Sequence, residues 1–188
     1  RNLASASHTI SGEAYGNGLY ETWESTKYNS SLGGHTAFKT SEISGYHSTG
    51  NYSAGIFNDG NFNNDSGKLT NLNYTGDWVK IKLPVYINLT KYGLKQRSTN
   101  PNRSPKDYKI YGSNDNTNWT ILVSNTITNT DYNSSGLYEE SVSIIGEYQY
   151  FLIIVNKLLG NDNYLNLDEW YIYGNEDNIY GYNTIGSG

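Results

Sequence analysis

The sequence predicts an all-β fold, an antiparallel sandwich or jelly roll of around eight strands, and three observations carry that expectation. The 188 residues include 19 Tyr, 26 Asn and 20 Gly but only 3 Pro. Tyr and Thr favour strands, while Asn and Gly favour turns. Short apolar runs with period-two alternation recur at short spacing, separated by turn residues. Leu-, Ala- and Glu-rich runs of helical length are absent. A chain of this length fits one domain with a single core.

The elements follow in order. Residues 1–8 read as a lead-in, residues 9–174 as the domain, and residues 175–188, rich in Asn, Gly and Tyr, as a tail. Residues 8–18 suggest a first strand with glycine bends, and Ala37-Phe38 ends a short strand. Residues 39–76 hold few aliphatics and read as one long loop, which in a compact domain goes with function or disorder. Residues 77–84 are amphipathic, with Val79, Ile81 and Leu83 on one face and Lys80 and Lys82 on the other. Pro84 is expected to end that strand. The next, residues 87–95, carries Ile87 and Leu89, then Tyr92 and Leu94. That parity slip implies a bulge near Lys91. In residues 103–120, Tyr108 and Ile110 share a strand face opposite Lys109, residues 112–116 form a polar turn, and Trp119 opens the next apolar run. Residues 138–145 form a strand with Val142 and Ile144 on one face. Residues 148–156 are apolar on both faces, as for a strand in mid-sheet, and residues 165–174 form the last strand.

Composition excludes several functions. With no Cys and no Met, disulfides, thiol catalysis and thiolate metal sites are impossible. The net charge of -5 and the lack of a Lys/Arg block argue against nucleic acid. The longest apolar run, residues 151–155, is far too short to span a membrane, and no signal peptide is visible. Eight Asn-x-Ser/Thr sequons mostly reflect the abundance of Asn. No His-Glu-x-x-His or Gly-x-Ser-x-Gly motif occurs, and His8, His35 and His47 lack metal or triad spacing. In Glu139-Glu140 and Asp168-Glu169 the neighbours point to opposite strand faces, so neither pair can flank a glycosidic bond. An enzyme is not expected. The loop 59–65 alternates oxygen donors like half an EF-hand, but Asn64 and Thr70 replace its Gly and Glu, so it reads as an Asx-rich surface loop.

Four pieces in order carry a resemblance: Ala37-Phe38; residues 78–84 (Trp-Val-Lys-Ile-Lys-Leu-Pro); the hairpin of residues 103–119 with its Tyr-x-Ile-x-Gly-Ser-Asn-Asp core and closing Trp; and residues 167–174. Together they resemble the discoidin, or coagulation factor 5/8 type C, family over residues 9–174. The opening with Ile10-Ser11-Gly12 and Tyr15-Gly16-Asn17-Gly18 resembles versions found in large DNA viruses of algae and protists. The resemblance implies an eight-stranded jelly-roll sandwich that does no chemistry. Its loops at one end bind glycans, anionic lipids or protein receptors. It also implies a calcium site, for which Glu169 matches one ligand. Lys39 stands where an Asp would supply another, and a cation there would repel calcium. No cofactor is therefore required.

The implied ligand site falls on loops 39–53, 96–103 and 157–164. Its candidates are Tyr46, His47 and Tyr52, then Arg97 and Asn100, then Asn161 and Tyr164. Tyr offers a rigid face for stacking, neutral His both donates and accepts, and Arg presents five fixed donors. Trp23 is a further loop aromatic. Arg103, inside the family hairpin, is expected to anchor its loop to backbone carbonyls, leaving ligand contact to Arg97. Trp78, Trp119 and Trp170 read as core. The expected function is a non-catalytic glycan-binding adhesion module on a cell exterior or virion surface. Its partners would be an extracellular glycan, with further copies of itself or virion proteins. The alternative is an assembly domain making protein contacts.

Overall fold

The structure, a computed structural model, describes residues 43–46 (as backbone), 52–58 and 72–175. The predicted strand at residues 8–18, Ala37-Phe38, Lys39, the 59–65 loop, Trp23, the three His and the tail beyond Asn175 lie outside the described residues.

Nine antiparallel strands occur among the described residues. They are β1 (Ile43–Tyr46), β2 (Tyr52–Ser53), β3 (Ile56–Phe57), β4 (Asp77–Lys95), β5 (Pro105–Ser113), β6 (Thr120–Thr126), β7 (Leu137–Ser141), β8 (Tyr148–Leu158) and β9 (Glu169–Asn175). One sheet runs β1-β4-β8-β5-β6, with the β2–β3 hairpin attached to the end of β8 through Ile56 opposite Lys157. The other runs β7-β4-β9. The two layers make the expected jelly-roll sandwich, and two of the nine strands among the described residues, β2 and β3, are only two residues each.

Three expectations need correction. Pro84 does not end a strand. β4 continues through it to Lys95; its register with β8 breaks between Lys82 and Ile87, and from Asn88 onward the strand pairs with β9 in the other sheet. Pro removes one donor but leaves φ extended, so it suits a bend between two ladders. The bulge expected near Lys91 is present, between Leu89 and Lys91 opposite β9, and Ile87, Leu89, Tyr92 and Leu94 are all buried. Second, residues 39–76 are not one long loop: they contain β1 and the β2–β3 hairpin. Its turn, Ala54-Gly55, has φ of 50° and 75°, the pattern of a two-residue hairpin whose central residues are both left-handed. Third, Lys80 is buried at 7% exposure rather than solvated. Its Nζ donates to Asn116 Oδ1 at 2.7 Å and lies 5.9 Å from the Trp78 ring.

The inter-sheet core gathers Ile81, Leu83, Tyr108, Ile110, Phe151, Ile153 and Val155 from one sheet and Leu89, Tyr92, Leu94, Trp170 and Ile172 from the other. Each fully buried apolar side chain contributes about 1.5–3 kcal/mol. β8 lies between β4 and β5, and Leu152 and Ile154 on its other face are buried too, which explains its unbroken apolar run. Trp78 and Trp170 are buried and Trp119 packs partly buried against the core, just before β6.

A polar cluster fastens the two sheets where β6 and β7 flank the core. Glu140 Oε2 accepts from Tyr92 Oη, from Tyr138 Oη at 3.0 Å and from Asn125 Nδ2 at 2.8 Å. Tyr92 and Tyr108 join hydroxyl to hydroxyl at 2.6 Å across the sandwich. Burial, above all, pushes the Tyr92 and Tyr108 phenols well above the ordinary tyrosine value, so both stay protonated. Glu139, the next residue, faces the other way and pairs with Lys91 at 3.0 Å, as period-two alternation requires.

Candidate functional site

Strand register places five chain segments at one end of the sandwich. β1 stops at Tyr46 opposite Trp78, at the start of β4. Leu158 sits opposite Pro105, so the β4–β5 and β8–β9 connections leave side by side. Lys95 lies opposite Glu169 and Leu137, and Thr126 opposite Asp107, which brings the β6–β7 connection to the same end. Loops 96–104 and 159–168 therefore emerge together, at the end where β1 stops.

Backbone hydrogen bonds stitch two of these segments into one surface. Gly160 N donates to Asn102 O at 2.8 Å, Leu159 N to Ser104 O at 3.0 Å and Asn166 N to Arg103 O at 2.9 Å. The β2–β3 turn joins them through Gly55 N to Asp162 O at 3.2 Å and Leu158 N to Gly55 O at 2.8 Å. Within the 96–104 loop, Asn100 N donates to Arg97 O and Arg103 N to Asn100 O, each at 3.1 Å. These lead into a single 3-10 turn, Pro101–Arg103, started by a proline where no N–H is needed.

At the centre of this surface lies Arg103. Its Nε donates to Asp162 Oδ2 at 2.8 Å, and its guanidinium sits 5.1 Å from the Tyr164 ring centroid. The hydrogen bond from Arg103 holds the Asp162 carboxyl below the usual range, helped by the backbone N–H groups of Asn163 and Tyr164. A depressed pKa means stability that is fully present above the unfolded Asp value of about 3.9 and lost as pH falls through the lower folded value. The clamp thus holds over the whole neutral range.

The sequence candidates divide. Arg97 and Asn161 are exposed, and Asn100 and Tyr164 half-buried, all on the joined loops. Asn100 Oδ1 accepts from Thr99 Oγ1 at 3.2 Å. Tyr46 closes β1 at the same end, while its side chain and the whole of His47 lie outside the described residues. Tyr52 is a correction. It is 1% exposed in β2, its hydroxyl donates to Val155 O at 2.7 Å, and its ring meets Phe57 edge-on. A two-residue strand has no periodicity to reveal it, so the sequence reads it as loop. Arg103 is a second correction: it anchors its loop through a carboxylate and an aromatic face rather than through carbonyls. Asp162, which completes that anchor, is not among the sequence candidates. Its only signal is being the sole carboxylate between Lys157 and Tyr164.

Glu169 is buried at 4% exposure, and its Oε1 accepts from Trp170 N at 2.8 Å, so part of its coordinating capacity is already engaged. Among the described residues no group of three His, Cys, Asp or Glu side chains could hold a metal ion. No helix among them is long and apolar enough to cross a membrane.

Gly55 matters to this surface because a Cβ there would stand 2.2 Å from Gly160 O at a φ of +75°. Gly55→Ala is expected to destabilise the fold by about 2–4 kcal/mol, combining left-handed strain with a backbone clash. Urea unfolding checks this. An unchanged midpoint would mean that the hairpin and the 159–166 loop are not packed together.

The sequence profile of the F5/8 type C domain matches residues 36–170. No curated protein matches the chain. Among solved structures, it resembles CpGH89CBM32-5 from Clostridium perfringens, seen in complex with GalNAc-β-1,3-galactose, at 11% identity and a TM-score of 0.47. That alignment covers 71% of this chain and 96% of that one. A family 32 carbohydrate-binding module from C. perfringens NanJ, in complex with galactose, aligns at 15% identity and a TM-score of 0.45, covering 71% and 94%. CBM32-3 from a family 31 glycoside hydrolase of C. perfringens aligns at 26% identity and 0.44, covering 52% and 66%.

Proposed function

The chain belongs to the F5/8 type C domain family, and from that premise we propose that it is a non-catalytic glycan-binding module acting through the joined loops at one end of the sandwich. The observation that carries this reading is the convergence there of loops 96–104 and 159–166, which present Arg97, Asn100, Asn161 and the Arg103–Tyr164 pair on a stitched backbone. Rigid loops lose little entropy on binding, and donors beside an aromatic ring suit a sugar, with hydroxyls on its edge and C–H groups on its face. Single-site affinity is expected in the millimolar to micromolar range, raised by multivalent display.

Among the described residues, the exposed large apolar side chains Ile56, Tyr86, Ile121 and Ile145 lie on three different strands and the β7–β8 connection. That spread favours a glycan over the flat protein contact of an assembly domain. The setting we propose is a cell exterior or virion surface. The test is a glycan array probed with the multimerised protein, with and without a chelator. Binding that survives chelation is expected, because the reading needs no calcium. No binding to any glycan would overturn the proposal.

A further inference from the structure

Hydrogen-bond inventory at the loop end separates donors from acceptors, and this deepens the glycan-binding reading on which it rests. The carbonyls of Arg97, Asn100, Asn102, Arg103, Asp162 and Asn163 already accept backbone N–H groups. The Asp162 carboxylate accepts from Arg103 Nε on one oxygen and from Asn163 N at 2.7 Å on the other. Asn100 Oδ1 is engaged by Thr99. The donors are another matter. Among the described residues, Arg103 uses one of its five N–H groups, on Asp162, with its side chain still 29% exposed. Arg97 is exposed and its side chain donates to none of the described residues. Loops 96–104 and 159–166 carry two Arg against one Asp, a local excess of one positive charge in a chain of net charge -5. Unengaged arginine donors in excess of the one carboxylate beside them select a ligand rich in acceptors.

We propose that the ligand is an acidic glycan, and that the terminal amino groups of Arg103 receive a sugar carboxylate as a two-point fork. Asp162 and Tyr164 act as positioning residues. The salt bridge fixes one edge of the guanidinium and the tyrosine face fixes its plane, so the other edge reaches the ligand already oriented. A neutral sugar lacks the paired anionic oxygens that match this fork.

The test compares sialyllactose with lactose, and polygalacturonate with neutral galactan, for binding to the full chain. The acidic member of each pair is expected to bind at least tenfold tighter, with affinity falling as salt rises. Arg103→Lys, which keeps the charge but loses the fork, should weaken acidic binding about tenfold. Tyr164→Leu, which removes the face that fixes the guanidinium plane, should weaken it less. Neutral glycans bound as tightly as acidic ones would overturn this inference and leave the glycan-binding reading standing. So would an Arg103→Lys protein that folds normally and binds as the wild type does. If that variant does not fold, the salt dependence of wild-type binding decides, and none at all rejects the inference. Failure of every glycan, acidic or neutral, rejects both.

Discussion

Trp170→Ala is expected to lower the thermal midpoint by roughly 10 °C or more, the largest effect of any single truncation. Trp170 is 0% exposed, the bulkiest of the fully buried side chains, and faces the opposite sheet from β9 beside Leu94. Its indole Nε1 has no hydrogen-bond partner among the described residues, so the ring acts as apolar volume. Removing it leaves a cavity between two sheets that are braced by their ladders and collapse poorly. The cost is about 3–5 kcal/mol against a total stability of about 5–15 kcal/mol. Trp170→Phe, which restores most of the volume, should recover much of the loss. Thermal unfolding followed by circular dichroism measures both. A loss of under about 1 kcal/mol for the alanine variant would mean that the core is not continuous across the sandwich.

Glu140→Ala is expected to cost about 2–3 kcal/mol by removing the charged acceptor that three donors share. Its Oε2 collects Tyr92, Tyr138 and Asn125, and through Tyr92 it reaches Tyr108 in the facing sheet. Glu140→Gln keeps the shape and one acceptor, and should cost about 1 kcal/mol. A double-mutant cycle with Tyr92→Phe should show a coupling of about 1 kcal/mol, because each single change already breaks the shared contact. Strict additivity would show instead that Glu140 is solvated by water and does not hold the sheets together. Glu139→Ala, on the outer face, provides the contrast. Its partner Lys91 is about one third exposed, so a cost of less than about 1 kcal/mol is expected.

What could be read from the sequence was the part governed by short-range pattern. Period-two alternation located Ile81 and Leu83, the slip between Leu89 and Tyr92, and the mid-sheet strand β8. The polar run after Gly112 marked the hairpin turn, where Asp115 accepts from the N–H groups of Thr117 and Asn118. What escaped was set by long-range closure. Tyr52 looks like a loop residue until Val155, 103 positions away, supplies its hydroxyl acceptor. Arg103 meets Asp162 across 59 residues, and no local spacing announces that pairing. Pro84 signals a stop by its missing N–H, yet a strand that changes sheets needs a place where its ladder is interrupted, and proline supplies one. The ends of β4, β5 and β8 that bound loops 96–104 and 159–168 were legible because strand pattern and turns are local, whereas β1 and β2 within residues 39–53 were not. Which side chains on them face each other was not legible, since that depends on how five segments meet.

The 19-residue run of β4 has one more consequence. Its first half zips to β8 and its second half to β7 and β9, so a single length of backbone is common property of both layers. Neither layer can peel away while the other stays intact, because loosening either end of that shared spine slackens the other. The domain should therefore melt as one cooperative unit, with amide protons on both halves of the spine exchanging at the rate of whole-molecule opening. The tips proposed to meet a ligand can then change in sequence without endangering the scaffold that carries them.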